Sequence, residues 1–309
     1  MKDNLELREK MTYSWNPWHG CHKISEGCEH CYLFGMDSQY GYNSEHIKLN
    51  KSQLNLPIRK IRANKGYKIK SGSIINTAMM SDFFIEDADV WRDRAWDIIH
   101  QRKDCLFYIL TKRVENIKDR LPANWLDGWN NVIIGCTVEN QSRADERLGE
   151  FVLEIPCKHK HIIAEPLLEE IDIRRYICGG DIEQVTAGGE SCPCGRSRIS
   201  DARECDFEWI RSLADQCKEY DVNFLFHQTG TNFIKDGQKV IVGYNKYERQ
   251  LAPFYKVDNI IGDGYTKNTW VNRAKDIELE LLAEEASKIY NRVKQEKSEY
   301  EQLTLDLTF

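Results

Sequence analysis

The sequence predicts an α/β protein, a partial (β/α) barrel followed by a C-terminal helical tail. Three observations support this fold class: regularly spaced short apolar runs, helical patterns in the gaps between them, and polar residues where the runs end. The 309 residues are 41% hydrophobic and 30% charged, which are ordinary globular proportions. This composition excludes a mainly disordered chain.

Six short runs rich in β-branched and apolar residues are typical of strands. They are SIINTAM from Ser73, LFYIL from Leu106, NVIIGCTV from Asn131, KHIIAEP from Lys160, EQVTAGG from Glu183 and VNFLFHQ from Val222. A shorter strand is predicted from Thr12 to Trp15. The long gaps favour parallel crossovers over hairpins, because a crossover needs a dozen residues or more.

Two of the gaps carry clear helical patterns. In DVWRDRAWDIIHQR the residues at a period near 3.6 are Val90, Trp91, Arg94, Ala95, Ile98 and Ile99. Asp206 is the predicted start of another helix, with a buried stripe of Ile210, Leu213, Ala214 and Cys217. The alternation of strands and helices predicts repeated βα units.

Polar side chains follow the strands in succession. They are Ser81 and Asp82, Thr111 and Lys112, Glu139 and Asn140, Glu165, Glu190, and His227 and Gln228. In a parallel barrel the carboxyl ends of the strands form the mouth of the active site, so we expect these groups to face one cavity. Glu165, His227 and Gln228 are the candidate catalytic groups.

The chain is expected to divide at about residue 255, where the βα rhythm ends. Residues 1–255 form the predicted barrel, and residues 256–309 form a helical extension and tail. Residues 276–309 hold nine acids and four bases, whereas His46 to Ser81 contains eight bases and no acid. The basic segment, with Tyr42 and Tyr67 available for base stacking, is a candidate surface for a polyanion, although such runs are often only solvated loops.

No run of 18 apolar residues occurs, and the start MKDNLELREK lacks the apolar stretch of a signal peptide. A membrane span and secretion are therefore not expected, and the protein is predicted to be cytoplasmic.

The most informative stretch is the cysteine loop WNPWHGCHKISEGCEHCYLFG, with Cys21, Cys28 and Cys31. Three thiolates within 11 residues could hold a 4Fe-4S cluster with one open iron. They could also hold zinc with His19, His22 or His30 as the fourth ligand, or simply be buried cysteines. The spacing alone leaves these alternatives open.

This stretch, with LTKR, TVENQSRADERL, AEPLLEEIDI, AGGES, RECDFEWIRSLADQC and FHQTGTNFIKDG, runs in order across residues 14–237. In these motifs the sequence resembles the phage Gp37/Gp68-like proteins (DUF5131), a three-cysteine group regarded as divergent radical S-adenosylmethionine (SAM) proteins. The resemblance implies a radical-SAM-like barrel in which Cys21, Cys28 and Cys31 bind a 4Fe-4S cluster. SAM on the open iron would yield a 5′-deoxyadenosyl radical.

The resemblance also implies residues near SAM. His30 and Tyr32 are candidates beside the adenine, and Lys112 is a candidate for the SAM carboxylate. Radical SAM proteins commonly have a GGE segment after the second strand, where this chain has Ser81 and Asp82. Gly188, Gly189 and Glu190 follow a later strand, so Asp82 and Glu190 are both candidates for the SAM ammonium. The remaining cofactor candidate is Glu139.

The other cysteines give weaker indications of a metal site. Cys178, Cys192, Cys194 and Cys205 could hold a second metal, although their spacing fits no common ribbon. Cys105, Cys136 and Cys157 lie in or beside apolar strands and are expected in the core.

Two classes of function remain open. The first is a radical SAM enzyme acting on DNA or a nucleic acid base, in repair or modification, with a reductase or flavodoxin as electron donor. Within that class the substrate could instead be a small metabolite or a peptide. The second is a zinc-stabilised nucleic-acid-binding or phage accessory protein without radical chemistry.

The final residues suggest a partner. Gln302, Leu303, Leu305 and Leu307 in QLTLDL resemble the peptides by which bacterial replication and repair proteins dock on the sliding clamp. The alternative is that these leucines fold back on the barrel or add an edge strand. Clamp docking would make DNA the expected substrate, because it supplies proximity that a net charge of −6 does not.

Overall fold

The computed structural model describes residues 12–62, 66–191, 201–242, 249 and 251–257. The predicted helical tail beyond Val257, the clamp-like residues Gln302 to Leu307, and Cys192 and Cys194 lie outside this range. Within the described residues, no helix combines the length and apolarity needed to cross a membrane.

A seven-stranded, fully parallel sheet forms the centre of the fold and curls into a half-barrel, as the sequence predicts. Its strands, in spatial order, are β1 (Thr12–Trp15), β4 (Ile74–Thr77), β5 (Leu106–Thr111), β6 (Val132–Thr137), β7 (Lys160–Ala164), β8 (Ile182–Gly188) and β10 (Asn223–Gln228). All six predicted runs and the predicted first strand are confirmed. A radical-SAM-like identity does not follow from this topology alone.

Two small sheets flank the half-barrel. β2 (Trp18–His19) pairs antiparallel with β3 (Lys48–Leu49), and β11 (Asn232–Lys235) pairs with β9 (Glu204–Asp206) and β12 (Gln238–Ile241). The β2–β3 pair ties the segment before the cysteines to the start of the basic segment. The second small sheet lies beside the carboxyl end of β8, where Cys205 of β9 packs against Gly189.

The described α-helices are α1 (Tyr32–Gln39), α2 (Asp89–Gln101), α3 (Gln141–Leu153), α4 (Arg174–Ile177) and α5 (Phe207–Glu219). The main core is made of alternate strand residues and the apolar faces of the longer helices, so one sheet face is covered by helices. On the other face, Ile74, Leu106 and Ile133 pack with Tyr108 as a separate small cluster. The remaining polar positions of that face are therefore placed toward the inside of the curl.

The helix predicted from Asp206 is confirmed, and its whole predicted stripe is buried. Asp206 caps it by accepting a hydrogen bond from the Glu208 amide at 2.9 Å. Cys105, Cys136 and Cys217 are fully buried, and Cys157 packs against the core, as expected.

The predicted face of α2 is partly wrong. Val90 is 80% exposed and Arg94 is exposed, while Arg92 and Trp96 are buried. Arg92 can lie inside because its guanidinium donates to the carbonyl of Phe83 at 2.9 Å. The prediction therefore placed the wrong arginine on the packed face, because the period alone does not show which guanidinium can reach buried carbonyls.

Candidate functional site

The cysteine loop is fixed to the carboxyl end of β4 by backbone contacts. The Gly20 amide donates to the Met80 carbonyl at 3.0 Å, and the Cys21 amide donates to the Ser44 carbonyl at 2.8 Å. Gly20 has φ +104°, and a Cβ there would lie 2.7 Å from the Ser44 oxygen, so only glycine fits. The Ser81 hydroxyl donates to the Gly20 carbonyl. Ser81 therefore holds the loop at the sheet edge.

The three thiols lie in one compact region of this loop. Burial raises the pKa of Cys21 to about 12, and the charges of Asp82 and Cys28 add to the rise. Burial also raises the pKa of Cys31, with a further contribution from Cys28. Cys28 is buried, whereas Cys21 and Cys31 are half-buried, and all three lie in the same loop. In the described part of the chain, no group of three or more His, Cys, Asp or Glu side chains is arranged to hold a single metal ion.

Asp82 binds protein donors at the end of β4. Its carboxylate accepts hydrogen bonds from the Thr111 hydroxyl at 2.8 Å and from the amides of Phe84 and Lys112 at 2.9 and 3.1 Å. It also forms an ion pair with Arg113 at 3.2 Å. A carboxylate has about four acceptor positions, and all of them have partners here. The structure thus places Asp82 as an anchor between β4 and β5.

Arg113 is a site residue that the sequence interpretation missed. Its side chain is buried, donates to the His22 carbonyl at 2.9 Å and lies 3.8 Å from the Cys21 sulfur. Burial alone would lower its pKa, but Asp82 and Cys21 outweigh this effect and raise it. The signal in the sequence was the second cation after β5 in LTKR. Arg113 therefore connects Asp82, at the sheet edge, to the first cysteine of the loop.

Glu139, at the end of β6, is a buried carboxylate with two cations. It lies 2.6 Å from the Lys112 ammonium and 3.0 Å from Arg147, and it accepts from the Ser25 hydroxyl at 2.7 Å. Burial would raise the pKa of Glu139, but Lys112 and Arg147 outweigh it, so this pKa lies below its ordinary value. A Cβ on Gly27 would lie 2.3 Å from the Glu139 side chain. The loop therefore rests directly on this charge cluster.

Glu190 fixes the last part of the loop. It accepts from His30 Nδ1 at 2.9 Å, from the Arg203 amide at 2.8 Å and from Arg203 Nε at 3.0 Å. Burial opposes ionisation, but Arg203 and His30 hold the pKa of Glu190 below its usual value. Arg203 also donates to the Glu26 carbonyl at 2.8 Å. Like Asp82, Glu190 binds the protein itself, and the predicted roles of both toward SAM stay predictions.

Gly188 and Gly189 allow the ends of β8 and β10 to approach closely. A Cβ on Gly189 would lie 2.3 Å from the Thr229 carbonyl, and one on Gly188 would lie 3.0 Å from the Gln228 side chain. Backbone packing thus requires glycine at position 189, whereas a Cβ at position 188 would only require its neighbours to shift by a few tenths of an ångström. The GGE segment serves the geometry of the sheet edge whatever it binds.

Glu165 and His227 form a pair on the carboxyl edge of the sheet. His227 Nδ1 lies 2.8 Å from the Glu165 carboxylate, and both side chains are partly exposed. A register shift between Phe226 and Gln228 places His227 in a bulge of β10, which redirects its side chain. The neighbouring Gln228 is buried, and its amide nitrogen donates to the Gly189 carbonyl at 3.0 Å. The three predicted catalytic groups are therefore neighbours.

The remaining predicted residues are placed as follows. The Tyr32 hydroxyl donates to the Met79 carbonyl, beside the loop. Cys178 is exposed at the end of α4, whereas Cys205 is buried in β9. The ring of Tyr67 faces the Arg102 guanidinium at 4.2 Å, so Tyr67 packs on α2 instead of standing clear for base stacking.

The candidate zinc ligands among the histidines also have carboxylate partners. His19 Nε2 lies 2.9 Å from both Asp37 oxygens, and His22 Nε2 lies 3.2 Å from Asp87. His30 is held by Glu190 as described above. The structure gives each of the three histidines a role in fixing the loop.

One comparison with known proteins identifies a family. The model of the family described as protein of unknown function DUF5131 matches residues 8–298 of the 309-residue chain. Comparisons with curated proteins and with solved structures found no match for the chain. Since the family match covers nearly the whole sequence, the chain belongs to the DUF5131 family.

Proposed function

We propose that the protein is a radical SAM enzyme that holds a 4Fe-4S cluster on Cys21, Cys28 and Cys31 and acts on DNA or a nucleic acid base. The observation that carries the proposal is the position of the three thiols. They lie in one loop, Cys28 buried and Cys21 and Cys31 half-buried, at the edge of the parallel half-barrel where the strand ends place polar groups. That edge is where a parallel barrel performs chemistry.

The residues present fit such a cluster. Thiolates are the ordinary ligands of iron–sulfur clusters, and a set of three leaves one iron open for SAM. Glycine at positions 20 and 27 allows the loop backbone to pack closely against Ser44 and Glu139. When bound, the cluster would supply the electron that cleaves SAM to methionine and a 5′-deoxyadenosyl radical.

The surrounding charges would keep the loop in one geometry. Arg113 orients Cys21 through the His22 carbonyl, and the Ser25 hydroxyl lies 3.6 Å from the Cys28 sulfur. Polar hydrogens near ligating sulfurs change cluster potentials, so these two residues are positioning residues for the thiols. Asp82, Glu139 and Glu190 support them from the sheet edge.

Glu165 and His227 are the proposed groups for proton handling near the substrate. In a neutral imidazole one nitrogen donates and the other accepts. If Nδ1 donates to Glu165, then Nε2 is the acceptor that can take a proton from a substrate. The tautomer is thus fixed by a carboxylate on the same sheet edge. Removing this pair is expected to impair turnover of the substrate. SAM cleavage measured in the absence of substrate should be unchanged.

SAM cleavage by the anaerobically purified full chain, reduced with dithionite, tests the proposal. We expect 5′-deoxyadenosine from the wild type and from Cys178→Ala, because Cys178 is exposed and lies away from the loop in sequence. Cys28→Ala should form none. A colourless wild-type protein with one zinc per chain and no SAM cleavage would contradict the proposal and favour the zinc-stabilised nucleic-acid-binding protein.

A further inference from the structure

Exposed cations without a carboxylate partner among the described residues follow one another along the segment from β3 to β4. This set is called the basic surface here and comprises Lys48, Lys51, Arg59, Lys60, Arg62, Lys68 and Lys70. All seven side chains are exposed, and among the described residues none of them forms an ion pair with a carboxylate. The cause lies in the sequence, because residues 46–81 contain no acid.

Exposed cations elsewhere on the molecule commonly have a carboxylate partner. Lys118 pairs with Glu154, and Lys239 lies 3.0 Å from Glu204. Ion pairs of this kind cancel the local field. Among the described residues the basic surface lacks such cancellation, so these residues together present a positive potential although the whole chain has a net charge of −6.

Two exposed tyrosines adjoin the basic surface. Tyr40 and Tyr42 are 72% and 59% exposed, and their rings stack with centroids 6.4 Å apart and an interplanar angle of 30°. The Lys48 ammonium lies 4.8 Å from the centroid of the Tyr42 ring. Aromatic faces beside cations are the combination that binds stacked bases and their phosphates.

The tyrosine pair is connected to the cysteine loop by α1. Tyr32, Met36 and Tyr40 are four residues apart, so they share one helix face, and all three are exposed. The helix begins directly after Cys31. At a rise of 1.5 Å per residue, Tyr40 lies about 13 Å from Cys31 along the helix axis. This distance is spanned by roughly four nucleotides of one stacked strand.

We propose that the basic surface and the Tyr40–Tyr42 pair bind single-stranded DNA and direct it along α1 toward the cysteine loop. A single strand is favoured over a duplex because only unpaired bases expose their faces for stacking on tyrosine. DNA is favoured by the clamp-like sequence at the C-terminus. The inference deepens the proposed function by naming the form of the substrate, and it rests on that function only for the destination of the strand.

Binding of a fluorescein-labelled 12-nucleotide oligo(dT) to the full chain, followed by fluorescence anisotropy, tests the stacking. We expect Tyr40→Ala/Tyr42→Ala to bind at least about tenfold more weakly, since each stacked base contributes substantially. Tyr40→Phe/Tyr42→Phe keeps the ring faces and should bind within about twofold of the wild type. Leu153→Ala, at a side chain that is 83% exposed on α3, should bind like the wild type.

A salt titration tests the electrostatic part. Each phosphate contact on a single strand contributes about 0.7 to the slope of log K against log salt concentration. Lys60→Ala/Arg62→Ala should therefore lower the slope by about 1.4. The exposed Lys218 lies on α5, which packs on β8 and β10 at the other end of the strand order from β4, and Lys218→Ala should leave the slope unchanged.

Three results would overturn the inference. They are wild-type affinity in the tyrosine-to-alanine variant, equal or tighter binding of an oligo(dT)·oligo(dA) duplex, and tighter binding of oligo(rU) than of oligo(dT). The triple variant Cys21→Ala/Cys28→Ala/Cys31→Ala separates this inference from the proposed function. This variant should not cleave SAM but should still bind oligo(dT) like the wild type. Ring-dependent DNA binding by a wild-type protein that does not cleave SAM would retain the inference and reject the enzyme, and SAM cleavage by the wild type without ring-dependent binding would do the reverse.

Discussion

The cysteine loop and the basic surface are adjacent irregular segments, and they treat charge in opposite ways. Around the loop, the buried carboxylates of Asp82, Glu139 and Glu190 each have a cation within 3.2 Å. On the basic surface, the cations have no carboxylate partner among the described residues. Buried pairs that satisfy one another fix a backbone in place, whereas unpaired exposed charges act at a distance. The charges around the loop thus fix the positions of the cysteines, whereas the charges of the basic surface would attract a polyanion.

The largest effect is expected where the loop rests on Glu139. Glu139→Gln should lower the free energy of unfolding by about 3 kcal/mol, because Lys112 and Arg147 would remain without their counter-charge. The exposed pair Lys118–Glu154 provides the control, and Glu154→Gln should change the free energy of unfolding far less than Glu139→Gln does, because solvent screens an exposed pair. Urea unfolding of the three proteins measures both values. Equal effects would remove the distinction between buried and exposed pairs.

A smaller effect is expected when Arg113 is changed. Arg113→Lys keeps the charge but cannot contact Asp82 and the His22 carbonyl in the same way. Amide exchange around Cys21 should become about tenfold faster, which corresponds to about 1.4 kcal/mol. The matched variant Arg174→Lys changes an arginine with two exposed carboxylate partners and should leave this exchange unaltered. Unchanged exchange in Arg113→Lys would show that the loop is held without Arg113.

The stability that the buried glutamates beside the loop contribute should depend on pH. The pKa values of Glu139 and Glu190 are lowered in the folded protein, so their contribution is present above the ordinary glutamate pKa of about 4.3. It is lost as the pH falls through their lower folded values. The stability difference between the wild type and Glu139→Gln should therefore be constant from about pH 7 to 5 and shrink below about pH 4. A constant difference down to pH 3 would contradict the lowered pKa of Glu139.

The smallest effect on stability is expected on the basic surface. Lys60→Ala/Arg62→Ala should change the free energy of unfolding by less than about 0.5 kcal/mol, because no ion pair is broken. The same variant should show the reduced salt dependence of DNA binding described above. A large loss of stability would mean that these cations hold the fold and do not serve attraction alone.

The sequence was sufficient to predict the strands, because a buried parallel strand is a local apolar run. It also placed polar groups at one sheet edge and singled out the three cysteines. It missed Arg113, Arg147 and Arg203, because the partner of a buried carboxylate depends on contacts between distant segments. For the same reason the protein donors of Asp82 and Glu190 could not be seen in the sequence, and the predicted roles of both residues toward SAM stay predictions.

Other differences have equally specific causes. The absence of acids from His46 to Ser81 is visible in the sequence. Which tyrosine has a ring face free for base stacking is not. Tyr67 and Tyr42 both lie beside cations, yet Arg102 covers a face of one ring while the other is exposed beside Tyr40. The helix α2 shows that an arginine can be buried when carbonyls are within reach of its guanidinium.

Iron and acid-labile sulfide content most directly tests whether the cysteine loop holds a cluster. The full chain would be purified without oxygen, reconstituted with iron and sulfide, and compared with Cys28→Ala and Cys178→Ala under the same conditions. We expect about four irons and four sulfides per chain in the wild type and in Cys178→Ala, and loss of most of both in Cys28→Ala. A full iron and sulfide complement in Cys28→Ala, or zinc in place of iron in the wild type, would contradict it.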